Sequence, residues 1–472
     1  MTLQAPPTQQ TRAFERQRAA HAADPCPRWE VRADRLRRLQ RLLVDHETAI
    51  CEAIDADFGG RPFVETELAE IWPSLEEVKG ALRHGQRWMK PRRAGVGKWF
   101  IPASAQVWPQ PLGVAGVIVP WNYPLYLAVG PMVAALAAGN RVMVKMSELT
   151  PRFSALLQRL CEASFAAEEV CIITGGPDVA EQFSALPFDH LLFTGSTPVG
   201  RKVMAAAARN LTPVTLELGG KSPAVIAPGY PLAHAVQRIM AGKLMNAGQT
   251  CIAPDYVLLP RAQLQAFVDT AREQARRGYP AGLADTNFCS VVNDRHYRRL
   301  ADWVDEAVAS GATVEHLFEG ASRDEARHRM APTLLIDPPA DCTAMREEIF
   351  GPVLPLVPYD RVEDAIAFVN ARPHPLALYW FDQDTGRTND ALRTMQSGGV
   401  TVNDTILHIA QESLPFGGVG ASGMGHYHGK WGFDTFSKLT PIFRQSRFNG
   451  MALFLPPYRP LMRRMLKLMK SL

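Results

Sequence analysis

The segment Asn246-Ala247-Gly248-Gln249-Thr250-Cys251 leaves a helical stretch through a glycine-containing turn and then presents a thiol. A thiolate is a strong nucleophile near neutral pH, and an apolar or dipole-rich pocket tunes it. Taken alone, one cysteine among seven reads more readily as a small buried hydrophobe. In Leu216-Glu217-Leu218-Gly219-Gly220-Lys221 a carboxylate closes an apolar strand ahead of a double glycine. Desolvated there, Glu217 would have a raised pKa and could act as a general base. An N-cap, or an ion pair with Lys221, is the plainer alternative. Pro120-Trp121-Asn122-Tyr123-Pro124 follows a continuous apolar run, and strand ends are where open α/β sheets place ligands. The Asn122 amide could donate to a developing oxyanion, or merely close a turn.

Two further segments suit a dinucleotide. Val144-Lys145-Met146-Ser147-Glu148 sets a lysine and a glutamate three apart at a strand end, so both could reach the hydroxyls of a ribose; a solvated ion pair is the alternative. Phe193-Thr194-Gly195-Ser196-Thr197-Pro198-Val199-Gly200 leaves a strand and opens a helix. Small residues there let the backbone approach a pyrophosphate, and the helix N-terminus supplies donors. The glycine spacing is not G-x-G-x-x-G, and no G-x-x-x-x-G-K-[ST] loop occurs.

These segments need elements to hold them at strand ends. Residues 1–27 read as a loose arm ending in the turn Asp24-Pro25-Cys26-Pro27. Helix periodicity runs from Trp29 to Asp57 and again from Glu65 to Met89. Extended segments are expected at Ala105–Trp108 and Gly113–Val119. Strands and helices then alternate: helix Leu125–Ala138, strand Arg141–Lys145, helix Arg152–Ala166, strand Val170–Thr174, helix Val179–Ala185, strand His190–Thr194, helix Val199–Arg209 and strand Val214–Glu217. That alternation predicts a parallel sheet covered by helices. It resumes between 220 and 412, with a helix over Ala233–Asn246 and a strand over Asp255–Leu259, so a second α/β domain is expected. Phe433–Gln445 reads as extended. Leu125–Gly139 is too short to span a bilayer and reads as a buried helix.

Composition is ordinary for a globular chain: 472 residues, 47% hydrophobic and 21% charged. A net charge of +4 makes no case for nucleic acid. No CxxC or Cys/His cluster has zinc spacing, so no metal is expected. The polar start, Met1 to Arg18, has no apolar core of a secretory signal, and the cytoplasm is the default location. Leu461–Leu472 places most of its apolar side chains on one helical face opposite Arg463, Arg464, Lys467 and Lys470. Packing on the domain or across a subunit interface is favoured over contact with an anionic membrane surface.

The chain resembles the aldehyde dehydrogenase superfamily. The matching segments run in family order over nearly the whole length: Pro120–Pro124, Val144–Glu148, Phe193–Gly200, Leu216–Lys221, Gly248–Cys251, Glu347-Glu348-Ile349-Phe350-Gly351-Pro352 and Leu414–Gly418. Cys251-Ile252-Ala253-Pro254-Asp255-Tyr256 and the stretch Pro415–Phe436 are similar to the class 3 branch, and within it to the bacterial coniferyl aldehyde dehydrogenase group.

The resemblance implies two parallel-sheet α/β domains, one cofactor-binding and one catalytic, plus a small β bridging element. Residues 1–92 and 115–218 would bind the dinucleotide and 219–418 would be catalytic. Residues 93–114 and 419–446 would bridge subunits, as a homodimer or a tetramer, and 447–472 would be a tail. Cys251 would attack the aldehyde carbonyl, Asn122 and the Cys251 N–H would form the oxyanion hole, and Glu217 would activate water to hydrolyse the thioester. Lys145 and Glu148 would hold the adenosine ribose, with Gly195, Ser196 and Leu218 along the cofactor. Glu348 would bind the nicotinamide ribose and Phe350 would pack near the nicotinamide. The cofactor is expected to be NAD, with NADP left open. The substrate is expected to be coniferyl or a related aromatic aldehyde, with a medium- or long-chain aliphatic aldehyde, or a cofactor-independent thiol esterase activity, as alternatives. Met146 and Tyr123 depart from the family's usual proline and phenylalanine.

Overall fold

A computed structural model describes residues 8–471. Residues 1–7, the start of the expected loose arm, and Leu472 lie outside the described residues.

Two sheets carry the architecture. The first has six strands, in the spatial order 423–424, 214–217, 190–194, 114–118, 141–145 and 170–173. All neighbours are parallel except Gly423–Met424, which runs antiparallel to the end of Val214–Glu217. Val114–Ile118, Arg141–Lys145 and His190–Thr194 are buried along their whole length, as sheets covered on both faces require. The second sheet has seven strands, ordered 313–316, 333–336, 353–359, 256–260, 223–226, 377–381 and 399–402. Only its edge strand Thr313–His316 is antiparallel. Mixed α/β architecture with parallel sheets is what the strand–helix alternation predicts. A third, small sheet joins Arg92–Ala94, Ser104–Pro111 and Ser437–Arg444, all antiparallel.

Between the strands Val114–Ile118 and Arg141–Lys145 runs the helix Tyr126–Ala138, every residue of which is buried. It ends at Gly139, whose φ of 98° gives the left-handed stop that glycine adopts without strain.

Four expectations need correction. The arm is a helix, Gln9–Ala23, capped by Thr8 and docked on the first sheet. Its buried face is Gln10, Phe14 and Gln17. Gln17 donates to the carbonyls of Val142 and Ala167 at 3.0 Å each, so no apolar period marks the helix in the sequence. The period from Trp29 to Asp57 is two helices, Trp29–Asp45 and Glu47–Phe58, broken at His46. Phe433–Gln445 is not extended throughout: a helix, Gly429–Thr435, precedes the strand Ser437–Arg444. The helix expected to reach Asn246 stops at Leu244, because Asn246 and Ala247 are left-handed.

No helix among the described residues is long and apolar enough to cross a membrane.

Candidate active site

Asn246, Ala247 and Gly248 have φ of 52°, 50° and 75°. Two of them are non-glycine residues in a region L-residues avoid, so the surroundings must hold the turn. Asn246 N donates to Glu65 (3.1 Å) and Asn246 Nδ2 to the Asn122 carbonyl (3.1 Å), while Gln249 Nε2 donates to the carbonyls of Asn246 and Ser290. A Cβ on Gly248 would come within 2.3 Å of the Gly351 carbonyl oxygen. The turn delivers Cys251, partly exposed, to the meeting point of two cavities.

The first cavity, about 200 Å³, is apolar and rich in aromatic rings: Trp72, Tyr123, Tyr126, Phe416 and Tyr427 stand with Leu127 and Ile406 around Cys251. The second, about 280 Å³, lies at the C-terminal ends of the strands 114–118, 190–194 and 214–217. It is lined by Asn122, Gly195, Ser196, Glu217, Leu218, Cys251, Glu348 and Phe350, together with Trp121, His296 and Arg299. Cys251, Glu217, Thr194 and Leu218 belong to both walls. Eight of the ten residues named from the sequence thus line one cavity. Lys145 and Glu148 do not; they sit on the neighbouring strand end. Lys145 is buried and donates to the carbonyls of Met146 (2.7 Å) and Gly175 (2.8 Å), whereas the Glu148 side chain is exposed.

Glu217 closes its strand with neither carboxylate oxygen hydrogen-bonded to protein. It does not pair with Lys221, which instead binds Asp255 and the carbonyls of Ala344 and Glu347. Burial raises the Glu217 carboxyl well above the ordinary value. Burial also raises the Cys251 thiol, and the nearby Glu348 and Glu217 add to it. In both cases burial disfavours the charged form, so the cavity raises the proton affinity of the carboxylate and of the thiolate.

The amide of Asn122 is buried and donates to the Gln249 carbonyl at 3.1 Å. Its backbone is braced by a feature the motifs do not contain. Arg61 and Glu70 form a fully buried ion pair at 2.8 Å. Arg61 also donates to the Asn122 carbonyl (3.0 Å), and Glu70 accepts from the N–H groups of Leu125 (2.7 Å) and Tyr126 (3.2 Å). The one signal in the sequence was Glu70 itself, a carboxylate set between Ala69 and Ile71. Tyr123, the departure from phenylalanine, bonds the Thr250 hydroxyl at 2.6 Å and so ties this turn to the residue before the thiol.

The second cavity fits a dinucleotide. Glu348 Oε1 is buried without a protein partner, and burial, with Asp255 adding, pushes this carboxyl up to about 8. A Cβ on Gly219 would lie 2.0 Å from Glu348 Oε2, so only glycine leaves the carboxylate its place. Ser196 precedes the helix Thr197–Ala208 with its hydroxyl unused as a cap. Arg299 donates to the Ile349 carbonyl (2.7 Å), and Ile349 N donates to Asp255 (3.1 Å), which together fix the loop carrying Glu348 and Phe350. Phe350 has a φ of 51° and meets Trp121 edge-on at 5.3 Å; the His296 ring lies tilted against Trp121 at 5.1 Å. His296 and Arg299 escaped the sequence reading, since nothing in Arg295–Arg299 sets them apart from a charged helix face.

The aldehyde dehydrogenase family model matches residues 4–442. A protein of Pseudomonas aeruginosa described as a probable coniferyl aldehyde dehydrogenase is 52% identical, covering 94% of this chain and 93% of its own. A coniferyl aldehyde dehydrogenase of a Pseudomonas species is 43% identical, covering 92% and 90%. Among solved structures, a substrate-bound state of Staphylococcus aureus AldH superposes with a TM-score of 0.92 at 35% identity, over 98% of this chain and 99% of that one.

Proposed function

Because the chain belongs to the aldehyde dehydrogenase family, and is thus an NAD(P)-dependent aldehyde dehydrogenase, we propose that it oxidises coniferyl or a closely related aromatic aldehyde to the acid, through a thioester on Cys251. The observation that carries this reading is the junction of the two cavities at Cys251 and Glu217. An aldehyde entering through the aromatic cavity brings its carbonyl to the sulfur beside the second, cofactor-sized cavity. A dinucleotide in that second cavity would supply the oxidant, a nicotinamide ring able to take a hydride from the substrate carbon.

The chain's own groups do the rest. The Cys251 sulfur bonds to the carbonyl carbon, and its proton leaves to solvent or to a carboxylate. The Asn122 amide and the Cys251 N–H donate to the resulting oxyanion. After oxidation the acyl group stays on sulfur as a thioester. Glu217, with two unengaged oxygens, takes a proton from the water that cleaves it. Glu348, Ser196, Gly195, Leu218 and Phe350 hold the dinucleotide in the second cavity. Lys145 and Glu148 lie further along the same sheet edge, for the adenosine ribose. There the exposed Glu148 carboxylate favours NAD over NADP, since it would repel a 2′-phosphate.

The aromatic lining of the first cavity, and the names of the two Pseudomonas relatives, support coniferyl-type substrates over aliphatic ones. Comparing kcat/KM for coniferyl aldehyde, cinnamaldehyde and decanal, each with NAD and NADP, tests the reading. Coniferyl aldehyde with NAD is expected to lead. A higher value for decanal would move the enzyme to aliphatic aldehydes, and an equal or higher value with NADP would remove the argument from Glu148. Cys251→Ala is expected to abolish oxidation with every substrate, and trapped turnover mixtures should carry the acyl adduct on Cys251 by mass spectrometry.

A further inference from the structure

The helix Pro460–Ser471 is not part of this chemistry: none of its described residues is buried, and on its apolar face Met462, Met465, Leu466 and Met469 are half-buried while Leu461 and Leu468 are exposed. At 100° per residue its side chains separate cleanly. Leu461, Met462, Met465, Leu466, Leu468 and Met469 fall within an arc of about 160°. Arg463, Arg464, Lys467 and Lys470 occupy an arc of about 120° opposite. Leu461 and Leu468 are each 55% exposed. The approach to the helix has the same character, with Phe448 83% exposed, Leu455 62% and Tyr458 64%. Residues 435–472 hold eight lysines and arginines and no aspartate or glutamate.

Keeping even part of an apolar face in water is costly, and Leu461 and Leu468 keep this one open to an occupant. We propose that the segment 447–471 is a membrane-surface anchor that docks on anionic lipid, its leucines and methionines entering the acyl boundary and its basic side chains lying among phosphate headgroups. Segregated apolar and basic faces on a helix of low net hydrophobicity are what an in-plane helix requires, and a one-sign cluster of basic residues adds the attraction of a negative leaflet. The charge decides against the same helix of a second copy as the occupant, since two such helices would bring eight like charges together. Docking would hold the enzyme beside a membrane, the phase into which apolar aldehydes partition.

Vesicle co-sedimentation of the full-length enzyme tests this. Phosphatidylglycerol–phosphatidylcholine vesicles are compared with phosphatidylcholine alone, at about 0.1 M and about 1 M salt. Binding to the anionic vesicles is expected at the lower salt, weaker by about tenfold or more on neutral vesicles and at high salt. The triple variant Arg463→Glu, Arg464→Glu, Lys467→Glu is expected to lose that binding while oxidising a water-soluble aldehyde at the parent rate. Leu461→Ser with Leu468→Ser should weaken it too, which separates insertion from simple charge attraction. Absence of binding to anionic vesicles, or binding that the charge-reversal variant retains, overturns the proposal. So does truncation after residue 446 if it changes the oligomeric state and leaves vesicle binding unaltered, because the helix would then be covered by another subunit.

Discussion

At the scale of single residues, Glu217 and Cys251 share walls of both cavities, and burial raises the pKa of each. If Glu217 serves hydrolysis alone, Glu217→Gln leaves acylation intact. A stopped-flow trace should then show a burst of NADH followed by turnover slower by about 10²–10⁴-fold. A variant that loses the burst as well would place Glu217 in thiol activation instead. Glu348 gives a pH prediction with a definite sign. Burial, with Asp255 adding, pushes its carboxyl up to about 8, so in the proposed ribose-holding role it would gain acceptor strength as it ionises above that pH. The KM for NAD is expected to fall between pH 7 and pH 9, and Glu348→Gln is expected to flatten that profile.

Among elements, the decisive device is the ion pair that joins Arg61, just after the helix Glu47–Phe58, to Glu70. It holds the turn 120–126 in place, with Asn122 buried in the wall of the cavity that Cys251 also lines. Removing one partner of a buried pair strands the other charge, at a cost of about 3–5 kcal/mol. Glu70→Gln should therefore lower the unfolding midpoint measurably. It should also reduce kcat more than the aldehyde KM, because the oxyanion donor moves while the aromatic cavity remains. A stability loss with kcat untouched would reduce the pair to scaffolding.

For the whole molecule, the three-stranded sheet stands apart from the two large ones and presents apolar residues to solvent: Phe443 is 53% exposed and Leu439 38%. We propose this sheet, formed from 92–94, 104–111 and 437–444, as the surface that pairs two copies into a homodimer. Light scattering is expected to give twice the mass of one chain, and Phe443→Asp to shift it toward a single chain. A monomer at micromolar concentration would remove the proposal.

The sequence by itself determined the class of fold and the family, because each depends on local pattern. Buried strands such as Val114–Ile118 and His190–Thr194 are apolar runs, and short motifs in a fixed order carry the family likeness and nominate the thiol, the carboxylates and the amide as candidates. It misread the helix Gln9–Ala23, whose buried face uses glutamine hydrogen bonds in place of apolar spacing. Only the tertiary structure decided how the site is held. Glu65 supports Asn246 from 181 residues away and Gln249 is held at the Ser290 carbonyl, while Arg61, Glu70, His296 and Arg299 arrive from helices and loops with no motif of their own. A side chain's type is written locally, but its pKa, its partner and the cavity it faces are set by groups that become neighbours only when the chain closes on itself.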